Sequence, residues 1–295
     1  MTRVHIYHED ARAIARDVPL ESLALETPEA LAAAMPEIEV LFAAMPPRTG
    51  WARATKLRLV QMMGAGVDQL LPSPDLPASV AIAGARGVFA DEAAEHAIAM
   101  MLALVRALPT TIVRQRDRTW RQFEVEKLAG KTVTIVGLGE IGRRIARICE
   151  AMGMNVLGIS RSKPNVGAFA SANFLVVCVP LTDETRGMIG ARELAMLPDL
   201  ARVVSLGRGG IVDEAALLAA LESGKVGGAA LDVFESEPLA PDSPWWTAPN
   251  TIVTPHIAGS GRDYIRRCAG VLVDNMRRLE RGEPLLNLVD RARGY

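Results

Sequence analysis

The sequence predicts an α/β protein with two domains, each built around a parallel β-sheet. Short apolar runs alternate with helical patterns along most of the chain, an order typical of parallel sheets covered by helices. The length of 295 residues exceeds what one compact core usually holds, which favours two domains. A glycine-rich string between a predicted strand and a predicted helix, within 133–142, is typical of a unit that binds a nucleotide.

Apolar runs bounded by polar or turn residues define the strands of the first unit. These predicted strands cover residues 4–7, 40–43, 57–62 and 80–83. A helix is predicted over 28–35, with Thr27 in position to cap it. The longest helical pattern covers 91–108, and Pro109 is expected to end it. We expect this helix to lead from the first unit, which ends near residue 100, into the second.

The second unit begins at Lys131 and continues the alternation of strands and helices. Its predicted strands are residues 133–136, 156–159, 174–179, 202–206, 229–233 and 251–253. Its predicted helices are residues 141–152, 191–196 and 214–223. A last helix, 262–281, has no strand after it and is expected to pack on the first unit. The predicted domains are therefore 1–101 with 260–295, and 102–259 between them.

Composition argues against several classes of partner. The net charge of −1 provides no basic field for nucleic acid or an anionic membrane, and the longest apolar stretch is too short to span a bilayer. Cys149, Cys178 and Cys268 lack the spacing of metal ligands or of a disulfide framework, so no metal site is predicted. The N-terminus has no signal-peptide pattern, and we expect a cytoplasmic protein. The charged segment 114–127 is expected to be a solvated or dimer-facing surface.

A strand that runs into a helix through Gly-x-Gly-x-x-Gly predicts a dinucleotide-binding turn. Gly137 permits the tight turn, Gly139 lets the backbone approach a pyrophosphate, and Gly142 lets the helix pack closely on the strand. The N–H groups and dipole of the helix N-terminus would then meet the phosphates. The predicted cofactor loop also contains Leu138, Glu140 and Ile141.

The end of the next strand bears on which dinucleotide is bound. The position that normally carries an acidic residue for the ribose 2′-hydroxyl holds Ser160, followed by Arg161 and Ser162. An arginine and two hydroxyl groups can hold a 2′-phosphate, which a carboxylate would repel. We therefore predict that NADP is the preferred cofactor, with NAD left open as the alternative.

Four further segments, taken with the glycine string, resemble the D-isomer-specific 2-hydroxyacid dehydrogenase family over nearly the whole chain. They are MGAGVD at 63–68, VVSLGRGGIVDE at 203–214, GAALDVFESEPL at 228–239 and TPHIAG at 254–259. The chain end VDRARGY at 289–295 and the Ser-Arg-Ser at 160–162 resemble the glyoxylate/hydroxypyruvate reductase branch. The resemblance implies two Rossmann-like domains, a flavodoxin-like substrate domain and an NAD(P)-binding domain, with a cleft between them. It also implies a homodimer through the cofactor domain and a small 2-keto or 2-hydroxy acid as substrate.

The resemblance implies Arg208, Glu237 and His256 as the catalytic set. The reaction it implies independently requires residues of these types. Reduction of a ketone by hydride needs a proton for the developing alkoxide, which a histidine can supply near neutral pH. A carboxylate partner fixes the histidine ring, and an arginine can clamp a substrate carboxylate in two places. Glu235 is a nearby competitor for the carboxylate role. Its position relative to Arg208 and the proline that follows favour Glu237.

The resemblance also implies the rest of the site. The substrate carboxylate would be bound by backbone N–H groups in Gly64, Ala65 and Gly66, with Arg208 and His256 completing the substrate site. The remaining residues implied to line the cofactor are Val179, Pro180, Thr185, Leu206, Gly207, Asp232 and Ala258. Asp232 is implied to bond the nicotinamide carboxamide. His96, on the long predicted helix, is interpreted as structural or hinge-related.

The sequence departs from the family pattern at two places. Ser205 stands where the family usually has asparagine, and the segment 163–173 is too short for the extra helix usual there.

The sequence also bears on several rival functions. A formate-type branch would pair its histidine with glutamine, so Glu237 argues against it. A phosphorylated substrate would require a further basic cluster near the substrate loop to bind its phosphate, and the sequence lacks one. A dinucleotide-sensing co-regulator on the same fold is the rival from another class, and turnover of glyoxylate or hydroxypyruvate would separate it from an enzyme.

Overall fold

The structure is a computed structural model that describes residues 3–162 and 164–295. The chain divides into two compact units, the first ending at Phe89 and resuming with Gly261–Tyr295, and the second comprising Ala90–Ser260. The boundary that we predicted at residue 101 falls inside a long helix that belongs to the second unit. The buried side chains of this helix join the core of the second unit, so the division lies at the start of the helix.

Strands and helices alternate through both units. Over the described residues the strands are β1 (Val4–Tyr7), β2 (Ser22–Leu25), β3 (Val40–Ala43), β4 (Leu59–Met62), β5 (Ala81–Ala83), β6 (Thr132–Val136), β7 (Asn155–Ile159), β8 (Phe174–Val177), β9 (Ala201–Ser205), β10 (Val226–Leu231) and β11 (Thr251–Val253). The α-helices are α1 (Ala11–Asp17), α2 (Pro28–Ala34), α3 (Ala90–Val105), α4 (Leu108–Arg116), α5 (Glu140–Ala151), α6 (Ala191–Met196), α7 (Glu214–Glu222) and α8 (Tyr264–Arg281).

The first unit is a parallel sheet in the order β2-β1-β3-β4-β5. Side chains alternate between its faces, so Val40 and Phe42 enter one core while Leu41 enters the other. The apolar stripe of α8 joins the first of these cores through Leu272 and Met276. Helix α8 therefore belongs to the first unit.

The second unit is a parallel sheet in the order β11-β10-β9-β8-β6-β7. Helices α3 and α5 cover one face and α6 and α7 the other, so the strands are buried on both faces, as in other parallel sheets. The chain leaves β6 in one direction to β7 and returns to β8 on the opposite side. Open α/β sheets bind ligands at such a reversal of strand order, outside the carboxyl ends of the strands.

The two parallel sheets confirm the predicted α/β class, but several details differ from the sequence predictions. The short α1 and the half-buried β2 were not predicted. Helix α3 ends at Val105, and Pro109 lies in the first turn of a separate helix, α4, instead of terminating the first. Proline is tolerated there because the N–H of a first-turn residue has no partner within its helix.

The segment between β7 and β8 contains a 3₁₀-helix at Val166–Ser171, which agrees with the prediction that no full α-helix fits there. Phe169 is buried in the core, and Thr134 donates a hydrogen bond to the carbonyl of Ala168 at 2.8 Å. Lys163, which begins the predicted segment, lies outside the described residues.

In the described ranges, no single helix has the length and apolar composition of a membrane span. Helices α3 and α4 pass that test only as a pair, and a 66° bend separates them.

Candidate active site

The predicted cofactor and catalytic residues of the second unit follow the carboxyl ends of its strands. Because all six strands are parallel, these ends meet at one edge of the sheet. Gly137–Gly142 follow β6, 160–162 follow β7, 179–180 follow β8, 206–208 follow β9, Asp232 follows β10, and His256 and Ala258 follow β11. The fold therefore brings to one edge residues that are far apart in the chain.

The glycine turn between β6 and α5 has room for a ligand at one point and none at two others. Gly137 has a φ of +108°, and a Cβ there would lie 2.9 Å from the carbonyl oxygen of Cys178. A Cβ on Gly142 would lie 1.8 Å from the carbonyl oxygen of Gly137. At Gly139, directly before the first residue of α5, a Cβ would meet nothing within 4 Å. The backbone at Gly139 is thus accessible to a phosphate at the helix N-terminus.

These distances predict opposite outcomes for two glycine-to-alanine variants. Gly142→Ala is expected to lower the melting temperature, because the turn must open to admit the methyl group. Gly139→Ala is expected to leave stability nearly unchanged and to weaken dinucleotide binding by about tenfold, since its methyl group would occupy the predicted phosphate approach. Thermal unfolding and cofactor fluorescence titration measure the two effects. Equal losses of stability in both variants would contradict this assignment.

Of the adjacent residues predicted to recognise the 2′-phosphate, Arg161 and Ser162 are exposed and Ser160 is half-buried. The hydroxyl oxygens of Ser160 and Ser162 lie 3.2 Å apart, and the Arg161 guanidinium pairs with the Glu184 carboxylate. Both members of this ion pair are more than half exposed, so the pair contributes only ~0–1 kcal/mol to stability. A phosphate can therefore replace the Glu184 carboxylate at little cost.

The segment after β8 forms a wall of the glycine turn. A Cβ on Gly137 would lie 2.9 Å from Cγ1 of Val179, and the Cys178 thiol donates to the Gly137 carbonyl at 3.2 Å. Burial raises the pKa of this thiol to about 12, so it stays protonated and unreactive. The Thr185 hydroxyl donates to the Pro180 carbonyl at 2.7 Å and accepts from the Thr182 N–H at 2.8 Å. Thr185 thus stabilises the turn that presents Val179.

A hydrogen bond joins the side chains of His256 and Glu237 at this edge. Nδ1 of His256 lies 2.7 Å from Oε2 of Glu237, and the N–H of Phe234 donates to Oε1 at 2.9 Å. Since an ionised carboxylate only accepts hydrogen bonds, Nδ1 carries the hydrogen and Nε2 is left to face a substrate. Glu235 is exposed, and its backbone N–H bonds to Glu214 instead. The carboxylate that reaches the histidine is therefore that of Glu237.

The loop that carries His256 is held in a strained conformation by Asp232. His256 has a φ of +54°, a left-handed conformation uncommon for residues other than glycine. The Asp232 carboxylate, 2 % exposed, accepts from the Ile257 N–H at 2.9 Å and the Ala258 N–H at 2.8 Å. The His256 N–H donates to the Asp232 carbonyl at 2.9 Å. Asp232 anchors this loop, and its bond to a carboxamide stays a prediction.

Arg208 lies on a turn closely packed against the loop that follows β10. A Cβ on Gly209 would lie 1.9 Å from the Phe234 carbonyl oxygen, so only glycine permits this approach. The Arg208 side chain donates to the Gly207 carbonyl at 2.8 Å. Ser205, at the buried end of β9, lines a small cavity with Arg208.

The predicted carboxylate-binding loop, Gly64–Ala65–Gly66, follows β4 in the first unit. The carbonyl of Met63 accepts from the Tyr264 hydroxyl at 2.9 Å and the Cys268 thiol at 3.1 Å. The Gly64 carbonyl accepts from the Ala85 N–H at 2.9 Å. Helix α8 thus anchors the start of the loop. Burial raises the pKa values of Tyr264 and Cys268 to about 12, so both remain hydrogen-bond donors at neutral pH.

Sequence reasoning missed several residues that support the site. Glu214 accepts from the Glu235 N–H and from the Trp245 indole N–H at 3.0 Å, and so ties α7 to the loop before Glu237. Thr254, two residues before His256, donates to Asp232 at 2.6 Å. Its place at the end of β11 was the available signal. Tyr264 carried no local motif that could have identified it.

The sequence profile described as "D-isomer specific 2-hydroxyacid dehydrogenase, NAD binding domain" matches residues 98–258. A glyoxylate/hydroxypyruvate reductase A from Klebsiella pneumoniae is 35% identical over 81% of this chain and 82% of its own length. A D-3-phosphoglycerate dehydrogenase from Archaeoglobus fulgidus is 35% identical over 80% of this chain. The chain spans about half the length of the phosphoglycerate dehydrogenases that it matches.

Solved structures extend the similarity to the full length. The NADPH-dependent glyoxylate/hydroxypyruvate reductase from Sinorhizobium meliloti, solved with NADP and sulfate, has a TM-score of 0.91 and 31% identity, with 100% of each chain covered. A D-isomer specific 2-hydroxyacid dehydrogenase from Xanthobacter autotrophicus, solved with NADPH and MES, has a TM-score of 0.88 and 33% identity, also with 100% of each chain covered. With the profile match over more than half its length, the chain belongs to the D-isomer specific 2-hydroxyacid dehydrogenase family.

Proposed function

We propose that this protein reduces a small 2-keto acid, such as glyoxylate or hydroxypyruvate, to the 2-hydroxy acid with NADPH as the preferred reductant. The observation that carries the proposal is the 2.7 Å contact between His256 Nδ1 and Glu237 Oε2. This pair lies at the same sheet edge as a glycine turn whose open point suits a dinucleotide phosphate. A proton donor and a hydride carrier are the two requirements for reducing a ketone.

The residues at the sheet edge fit a nicotinamide dinucleotide. The N–H groups at the start of α5 and the open backbone at Gly139 would hold the pyrophosphate. Leu206 and Gly207 are proposed to line the nicotinamide side of the site, with Asp232 close to the carboxamide. When bound, the reduced nicotinamide supplies a hydride.

His256 is proposed as the proton donor. With Nδ1–H donated to Glu237, Nε2 carries a proton only when the imidazole is cationic. Reduction therefore uses the imidazolium, which gives its Nε2 proton to the developing alkoxide, and the reverse oxidation uses the neutral ring as a base. The Glu237 carboxylate stabilises the cation and fixes the ring through its two oriented oxygens.

Arg208 and the Gly64–Ala65–Gly66 loop are proposed to bind the substrate. A guanidinium has five N–H donors in a planar fork that matches a carboxylate, and the Gly207 carbonyl uses a donor on Nη1. The N–H groups of Ala65 and Gly66 are proposed to bind a substrate carboxylate. Positioning of this kind accounts for much of the rate of a bimolecular reaction held in one site.

Preference for NADPH is proposed to rest on Arg161, Ser160 and Ser162. Arg161→Ala is expected to raise KM for NADPH about tenfold while KM for NADH changes little, because only NADPH carries the 2′-phosphate. Initial rates at 340 nm with both cofactors measure this. Arg147→Ala, an exposed arginine on α5, is the matched control. An equal rise of both KM values would contradict the assignment.

A homodimer through the second unit is also proposed. Exposed apolar side chains lie on α4 and on the segment after it, and they include Ile112, Val113 and Trp120, the last 97% exposed. Such a group of exposed apolar side chains is typical of a protein–protein contact. Light scattering on the purified protein would report a mass twice that of the chain.

A substrate panel tests the proposed activity. The panel contains glyoxylate, hydroxypyruvate, pyruvate, phenylpyruvate and the 3-phosphorylated keto acid that corresponds to D-3-phosphoglycerate. Turnover of glyoxylate or hydroxypyruvate with NADPH above NADH is expected. Preference for the phosphorylated acid would indicate a phosphorylated substrate, as in the phosphoglycerate dehydrogenase relatives, instead of glyoxylate or hydroxypyruvate. Tight NADPH binding without any turnover would favour a dinucleotide-sensing protein.

A further inference from the structure

A buried network of hydrogen bonds connects the long helix α3 to the loop that carries His256. Asp232 Oδ1 accepts from the Thr254 hydroxyl at 2.6 Å and from the Ile257 N–H at 2.9 Å. Nε2 of His96, on α3, lies 3.2 Å from the Thr254 hydroxyl oxygen and 3.6 Å from Asp232 Oδ1. All of these groups belong to the second unit.

The donors and acceptors that are present determine the direction of each hydrogen bond in this network. A carboxylate only accepts, so the single hydrogen of the Thr254 hydroxyl goes to Asp232. The Thr254 oxygen can then only accept from His96, and Nε2 of His96 must carry a hydrogen. An apolar side chain at 96 would leave the Thr254 oxygen without this donor, in a place where the neighbouring carboxylate is almost fully buried.

The loop needs such support because its central residue is strained. His256 adopts a left-handed φ of +54°, and strained residues persist only when surrounding contacts over-determine them. The residues on both sides of His256 bond to the Asp232 carboxylate, through Thr254 before it and through Ile257 and Ala258 after it. The orientation of that carboxylate therefore sets where the His256 ring lies.

We propose that His96 is a positioning residue for His256. It donates Nε2–H to Thr254, which orients the Thr254 hydroxyl towards Asp232 and so completes the support of the His256 loop. His96 itself touches neither substrate nor cofactor in this role. The proposal rests on the proposed function only in assigning His256 as the proton donor.

The kinetic test replaces the donor and then restores it. His96→Leu is expected to lower kcat about tenfold, with KM for the keto acid and Kd for NADPH within about twofold, because one net hydrogen bond is removed from the loop. His96→Gln keeps an N–H at a similar reach and is expected to recover most of kcat. Glu95→Ala, an exposed neighbour on the same helix, is the control and should match the wild type.

A double-variant cycle and an activity-independent measurement complete the test. The double variant with His96→Leu and Thr254→Val is expected to have a kcat no lower than that of the more impaired single variant. Both substitutions break the same hydrogen-bond network, so their effects should not add. Imidazole ¹⁵N correlation spectra of the four histidines are expected to report Nε2–H at His96. The His256 signals should shift in His96→Leu and return in His96→Gln.

Outcomes separate this proposal from the proposed function. If the wild-type protein turns over no keto acid, the proposed activity fails, and the ¹⁵N spectra still decide the support of the loop. Equal loss in the leucine and glutamine variants, additive losses in the cycle, or His256 signals that ignore position 96 would each overturn the positioning role.

Discussion

Replacing His256 with alanine is expected to lower kcat for glyoxylate reduction by about 10²–10⁴-fold, the range for loss of a general acid. The alkoxide that forms on hydride transfer would then have to take its proton from water, without the Nε2–H that Glu237 orients. NADPH affinity and the melting temperature should change little, since the side chain is 43% exposed and lies outside the cores. Single-turnover kinetics at 340 nm with saturating NADPH measure the chemical step directly.

The control for this variant is His8→Ala, which removes a half-buried histidine of the first unit that has no predicted role. It should retain wild-type kcat. Glu237→Gln should lie between the two, because it keeps an oxygen that can accept from Nδ1–H but loses the charge that stabilises the imidazolium. Retention of more than a tenth of wild-type kcat in His256→Ala would exclude His256 as the proton donor.

Replacing Arg208 with alanine is expected to lower kcat/KM for the keto acid by about 10²–10³-fold, from the loss of two charge-assisted hydrogen bonds to the substrate carboxylate. Arg208→Lys should recover only a small part, because an ammonium group cannot bind a carboxylate in the planar two-point manner of a guanidinium. Kd for NADPH should stay near the wild-type value in both variants. Steady-state kinetics and fluorescence titration measure the two quantities separately.

The matched control is Arg192→Ala, which removes an exposed arginine on α6. It should leave kcat/KM unchanged. A fall in NADPH affinity that matches the fall in kcat/KM would mean that Arg208 supports the cofactor instead of the substrate.

Much of the fold could be predicted because the strongest signals are local. The predictions for β1, β3, β11 and α6 match the structure residue for residue, since each is a short local pattern in the sequence. Strand β2 was missed because it is only half-buried, and half-buried runs with charged neighbours resemble loops. Helix α4 was missed because Pro109 was interpreted as a terminator, whereas first-turn proline is compatible with a new helix.

The sequence by itself determined the family, the glycine turn and the residue types of the candidate catalytic set, because each depends on short motifs at the ends of strands. The spacing from Arg208 and the following proline favoured Glu237 over Glu235, but only the tertiary structure shows the Glu237 carboxylate in contact with His256 and the Glu235 backbone bonded to Glu214 instead. It alone connected His96 to Thr254 across 158 residues and Tyr264 to Met63 across 201. Such contacts depend on which strands become neighbours in a sheet, and strand order arises from packing of the whole chain, which no local motif encodes.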